Sequence, residues 1–105
     1  MTNQQNILDR IKGIVLGKDP SAKVYLYGSR ARGTTKPDSD WDLLILLNKD
    51  KITTEVERNV TSPLYDLEFE IGEVISPMIY SEKEWNSKHS VTTFYSNVMR
   101  EGKLL

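Results

Sequence analysis

Gly28-Ser29 is followed by three cations, Arg30, Arg32 and Lys36, with no acid until Asp38, and Asp40-Trp41-Asp42 closes the stretch. Glycine has no Cβ to keep a backbone away from a phosphate. If Ser29 opens a helix, its hydroxyl and the N–H groups that follow converge on one point. The helix dipole adds partial positive charge there. Arg30 and Arg32 bring guanidinium groups able to grip a phosphate with two parallel hydrogen bonds. Asp40 and Asp42, two positions apart at the start of a strand, project from one face, roughly 6–7 Å apart at the backbone. Two hard oxygen donors at that spacing suit Mg²⁺, which is commonly held by one or two carboxylates together with substrate phosphates. With no cation between them, one of the two is expected to titrate above the ordinary carboxylate range.

Each half of this stretch has a plainer reading. Gly-Ser-Arg is an ordinary strand-to-helix turn with solvated basic residues, and Asp-x-Asp can cap a helix or solubilise a loop. The two halves together, one strand apart, favour chemistry. Two better-known phosphate loops are excluded. A dinucleotide fingerprint needs glycine where Arg30 stands, and a Walker loop needs a Gly-Lys-Ser/Thr that occurs nowhere in the chain. Asp38, Asp40 and Asp42 also imitate the opening of an EF-hand loop, but Leu43 and Lys49 occupy its glycine and glutamate positions.

The elements around this segment follow from periodicity and punctuation. Ile7, Leu8, Ile11, Ile14 and Val15 form one stripe of an amphipathic helix over residues 3–16, with Thr2 and Gln5 as a capping box and Gly17 and Pro20 as its stop. Lys23 to Tyr27 reads as a strand that ends at Gly28. Residues 34–39 read as a loop. Trp41 to Leu47 is a strand apolar on both faces, so it should lie inside a sheet covered on each side, with Trp41 turned away from the two aspartates. Residues 53–70 suggest a helix with a kink at Pro63 or a restart at Ser62. Val74 to Tyr80 is a third strand, which Pro77 assigns to a sheet edge or a bulge. Ser81 to Glu84 opens a short helix through Trp85, and residues 92–101 form a last helix that stops at Gly102. His89, in a polar stretch, is expected at the surface. This order predicts an α+β fold: one mixed sheet of about three strands covered by helices.

A chain of 105 residues has room for a single domain, 1–105. With 38% hydrophobic and 28% charged residues it is of ordinary globular composition. Its net charge of −1 excludes a general nucleic-acid footprint, so any anion site is local. The absence of cysteine excludes disulfides, thiolate metal sites and a Cys nucleophile. The longest apolar run, Leu43 to Leu47, is too short to span a membrane, and no signal peptide precedes Asn3, so a cytoplasmic location is expected.

Gly28-Ser29, ten intervening residues and then Asp40-Trp41-Asp42 resembles the signature of the polymerase β-type nucleotidyltransferases, and the Gly-Ser-Arg-Ala-Arg-Gly context resembles their smallest prokaryotic members, the minimal nucleotidyltransferases. The likeness is strong over residues 23–47 and weak after residue 50. It implies a palm-like mixed sheet, a triphosphate (ATP in the first instance) held by Ser29, beside which the residue chemistry above puts Gly28, Arg30 and Arg32, and Mg²⁺ coordinated by Asp40 and Asp42 as the catalytic carboxylates. It also implies a HEPN-type protein partner, often a toxic RNase, with this chain as antitoxin. Members of this superfamily generally carry a third carboxylate on a neighbouring strand. Val74 to Tyr80 has none, which leaves Glu73 as the candidate, with Glu70 behind it. The alternative is an inactive module that keeps the fold and binds nucleotide or a partner.

Overall fold

The computed structural model describes residues 3–33 and 39–105. Thr2 of the expected capping box, Lys36 and Asp38 lie outside the described residues. The elements are α1 (Asn3–Lys18), β1 (Lys23–Tyr27), α2 (Ser29–Arg32), β2 (Trp41–Leu47), α3 (Thr54–Ile71), β3 (Ile75–Ser81), α4 (Glu82–Ser87), α5 (Thr93–Glu101) and β4 (Lys103–Leu104). Among the described residues no helix is long and apolar enough to cross a membrane.

The sheet is mixed, in the order β3-β2-β1-β4. β2 runs parallel to β3 and antiparallel to β1, and β1 is antiparallel to β4. β2 therefore lies inside the sheet, and every residue from Leu43 to Leu47 is buried. Alternation divides the strand between two cores. Trp41, Leu43, Ile45 and Leu47 pack with Val24, Leu26 and Ile75 under Ile11 and Val15 of α1 and Val60, Leu64 and Leu67 of α3. Leu44 and Leu46 face the other way, toward Trp85 of α4, Val98 of α5 and the rings of Tyr25, Tyr27, Tyr80, Phe94 and Tyr95. Each buried Leu or Ile contributes roughly 1.5–3 kcal/mol relative to exposure. β3 is an edge strand, as Pro77 requires.

Local signals explain most of the boundaries. Thr53 and Ser81 cap α3 and α4, their hydroxyls accepting from the Val56 and Glu84 N–H groups at 3.2 and 3.3 Å. Glu55 and Glu57 in the first turn of α3 complement its dipole. Gly72, at φ 70°, ends the same helix in the left-handed conformation.

Four expectations need correction. α1 continues through Gly17 to Lys18, and the Asp19 N–H still donates to the Val15 carbonyl, so Pro20 rather than Gly17 marks its limit. No break occurs at Ser62: α3 is one helix through Pro63. The bond lost there is outweighed by Val60, Leu64 and Leu67, which bury one continuous stripe. A fourth strand, β4, joins the sheet; two residues carry no period by which to recognise it. His89 is half-buried, its ring 4.6 Å from that of Tyr80.

Pro63 leaves a testable mark. Pro63→Ala restores an N–H donor in mid-helix and should stabilise the fold by about 1–3 kcal/mol. The check is urea unfolding: a higher midpoint at an unchanged m-value is expected, whereas a lower midpoint would mean that the ring's packing outweighs the missing bond.

Candidate active site

β1 ends at Tyr27, opposite Asp42 in the register of the β1–β2 pair. The chain then turns through Gly28 at φ 75°, and the Ala31 and Arg32 N–H groups both donate to the Gly28 carbonyl at 3.1 Å. α2 ends after one turn at Gly33. A Cβ built on Gly28 would lie 2.3 Å from an Asp42 carboxylate oxygen. Glycine is required at position 28 twice over, by its backbone angle and by the side chain beside it. The space foreseen for a phosphate is thus bordered by a carboxylate of the neighbouring strand.

Asp42 projects on the same face of β2 as Leu44, toward the aromatic layer under α4 and α5. Trp41 turns to the opposite core, as alternation demands. Asp40 lies exposed just ahead of the strand. Burial first, and then the charge of Asp40, push the Asp42 carboxyl above its ordinary range, while Arg32 pulls it back. Tyr27, pressed against Phe94 with ring centroids 5.5 Å apart, has its phenol pushed up to about 12 by burial and by the charges of Asp42 and Tyr80. It therefore stays protonated at any physiological pH. Two carboxylates of incompletely balanced charge, one in the open and one half-buried, form a donor set that fits a divalent cation completed by substrate oxygens.

The cationic residues divide. Arg32 is exposed near Asp42, and its guanidinium donates to Glu101 at 3.2 Å. It borders a cleft of about 240 Å³ lined by Tyr27, Gly28, Phe94, Asn97, Val98 and Glu101. A larger hollow of about 580 Å³ lies between Lys18 and the outer side of α3, lined by residues such as Arg58 and Asp66 and by none of the candidate residues. Arg30 does not join Arg32. Its side chain is 6% exposed and stacks over the Trp41 ring at 3.9 Å. It donates twice to the Ser39 carbonyl, at 3.0 and 2.7 Å, and once to Glu73 at 2.9 Å. Expected on a phosphate, it is an internal strut.

Glu73 is the acceptor at the other end of that strut and also receives the Trp41 indole N–H at 3.3 Å. Among the described residues no group of three or more carboxylate or histidine side chains could hold a metal, so Glu73 does not join Asp40 and Asp42. Glu70 pairs with Arg10 on α1. The residue of β3 in register with Asp42 is Ser76. Glu101 escaped the sequence reading. Its one local signal was its place in the last turn of a predicted helix, and its approach to Arg32 spans 69 positions.

The sequence matches the family model described as a nucleotidyltransferase domain over residues 8–103. Among solved structures, a toxin–antitoxin complex with AMP-PNP superposes with a TM-score of 0.61 at 19% identity, covering 98% of this chain and 72% of the other. Two structures of variants of an MntA–HpeT toxin–antitoxin pair give 0.59 at 20% identity and 0.60 at 17% identity, each again over 72% of the other chain. At these identities the likeness is one of fold. No curated protein matches the sequence.

Two predictions follow from the Gly28–Asp42 contact. Gly28→Ala must strain the backbone and displace the Asp42 carboxylate, so divalent-ion affinity should fall at least tenfold while circular dichroism keeps its native shape; unchanged affinity, titrated with Mn²⁺, would refute the geometry. Asp42→Asn should raise the melting temperature at pH 7, by a few degrees. The sign follows from the raised carboxyl: the folded state holds that proton more tightly than the unfolded one, so ionising Asp42 costs stability, and the cost disappears as pH falls through its folded value. The gain from Asp42→Asn should accordingly shrink on acidification.

Proposed function

The chain belongs to the nucleotidyltransferase-domain family, and from that premise we propose that it transfers a nucleoside monophosphate, AMP from ATP, to a hydroxyl of a partner protein. The observation that carries the reading is the half-buried Asp42 carboxylate, seated against Gly28 and raised in pKa by burial and by Asp40. Such a pair is costly without a cation and useful with one. Asp40 and Asp42 hold Mg²⁺ in this account. Bound there, the ion supplies charge neutralisation on the phosphates and a fixed template for in-line displacement. Gly28 and Ser29 line the triphosphate. Arg32 exchanges Glu101 for a phosphate, an exchange made easy because an exposed pair is worth only about 0–1 kcal/mol.

In the reaction the acceptor oxygen forms a bond to the α-phosphorus and the bond to the β-phosphate oxygen breaks. AMP is thereby attached, pyrophosphate leaves, and the hydroxyl proton passes to water. ATP as donor is supported by the similar toxin–antitoxin structure that contains AMP-PNP, a compound shaped like ATP. A protein acceptor is supported by the pairing of the similar chains with toxins. The sequence resemblance extends that partner to a HEPN-type RNase toxin, with this chain as a cytoplasmic antitoxin.

One observation favours a second reading. Ser76 stands beside Asp42 on β3 and Glu73 is engaged by Arg30, so neither supplies a third carboxylate. A chain in that state acts by docking, with nucleotide bound but not transferred.

The experiment is transfer from α-labelled ATP with Mg²⁺ to the co-expressed partner, comparing wild type with Asp42→Asn. A labelled partner band that Asp42→Asn abolishes, by at least a hundredfold, is expected. An unlabelled partner, with biological neutralisation intact in Asp42→Asn, would replace transfer by docking.

A further inference from the structure

Arg30 is chemically conspicuous: a guanidinium withdrawn from solvent, in a protein whose proposed site calls for cations facing a ligand. A buried charge is tolerated only when it is paired and hydrogen-bonded, and here three of the five N–H donors and the charge itself have partners. Nε and one terminal nitrogen share the Ser39 carbonyl, the same terminal nitrogen reaches Glu73, and the flat face rests on Trp41. None of these partners is a surface group awaiting a phosphate.

The peptide between Ser39 and Asp40 is a rigid plane that contains both the Ser39 carbonyl oxygen and the Asp40 Cα. Holding that oxygen by two N–H groups orients the backbone of Asp40 from its N-terminal side. On the C-terminal side the Trp41 N–H donates to the Val74 carbonyl at 2.9 Å, and the Trp41 indole N–H donates to Glu73. Asp40 itself is exposed and precedes the strand, so the sheet does not hold it as it holds Asp42. Its two flanking peptide groups are instead tied to one short segment, Glu73-Val74, between α3 and β3.

From this we infer that Arg30 is a positioning residue for the metal-binding carboxylate of Asp40, with Glu73 as its anchor, rather than a phosphate ligand. The inference rests on the reading of Asp40 and Asp42 as a divalent-cation site. It assigns a use to the first arginine and to the nearest spare carboxylate, both of which otherwise lie idle. Groups that orient a ligand without touching the ion typically govern metal affinity by roughly 10–100-fold.

The test is Mn²⁺ binding without nucleotide, followed by the electron paramagnetic resonance signal of the free ion. It compares wild type, Arg30→Lys and Arg30→Met, with thermal melting as the control for folding. Lysine keeps the charge opposite Glu73 but cannot fork the Ser39 carbonyl while lying flat on Trp41. Methionine fills the space and donates nothing. Both should weaken Mn²⁺ binding, Arg30→Lys by roughly tenfold and Arg30→Met by more. Because nucleotide is absent, a loss cannot come from a missing phosphate contact. Wild-type affinity in a folded Arg30→Lys would overturn the positioning role and leave the metal site standing. Failure of the wild type itself to bind Mn²⁺ would overturn the metal reading and this inference with it.

Discussion

The carboxylate of Asp42 occupies the space that any side chain at position 28 would need. That single contact joins the end of β1 to the start of β2 and decides the local geometry of both. It depends on register, since Tyr27 opposes Asp42, and a slip of one residue would carry Asp42 into the core beneath α1 and α3. It depends as well on the positive φ of Gly28, the residue from which α2 starts. From Leu43 to Leu47 β2 is packed on both faces, which gives the site a buried base.

The two faces of the sheet then serve the site differently. On one, α1 and α3 bury the larger core, and the Arg30–Trp41–Glu73 group fastens the approach to Asp40. On the other, Tyr25, Tyr27, Tyr80, Trp85 and Phe94 form an aromatic layer about Leu44 and Leu46, and Tyr27 of that layer stands in register with Asp42. The low polarity of that layer raises the cost of ionising Asp42 and Tyr27, and it strengthens the pull of the same carboxylate on a cation. The desolvation that weighs on stability is, in the proposed metal site, also the source of its affinity.

Much of this was legible in the residues. The run from Leu43 to Leu47 announces a strand buried on both faces, and Gly28-Ser29 with Asp40-Trp41-Asp42 is the local pattern on which the proposed phosphate and metal site rests. What escaped depends on distance along the chain. Arg30 looks like Arg32 in sequence, and only Glu73, 43 positions away, distinguishes their fates. The restart expected at Ser62 does not occur because the packing that carries α3 through Pro63 comes from α1 and the sheet. β4 is two residues long and owes its existence to the neighbouring strand, since nothing in Lys103-Leu104 itself favours extension.

Pro77 carries a consequence for assembly. It stands at the middle of β3, an outer strand of the sheet, where the ladder to β2 persists only if its missing N–H faces outward. A strand arriving from another molecule would meet a gap in the row of donors at the centre of that margin. The opposite margin, β4, offers two residues and no more. Both margins of this small sheet thus discourage growth by strand addition without closure into a barrel, and its exposed rims are poor templates for aggregation.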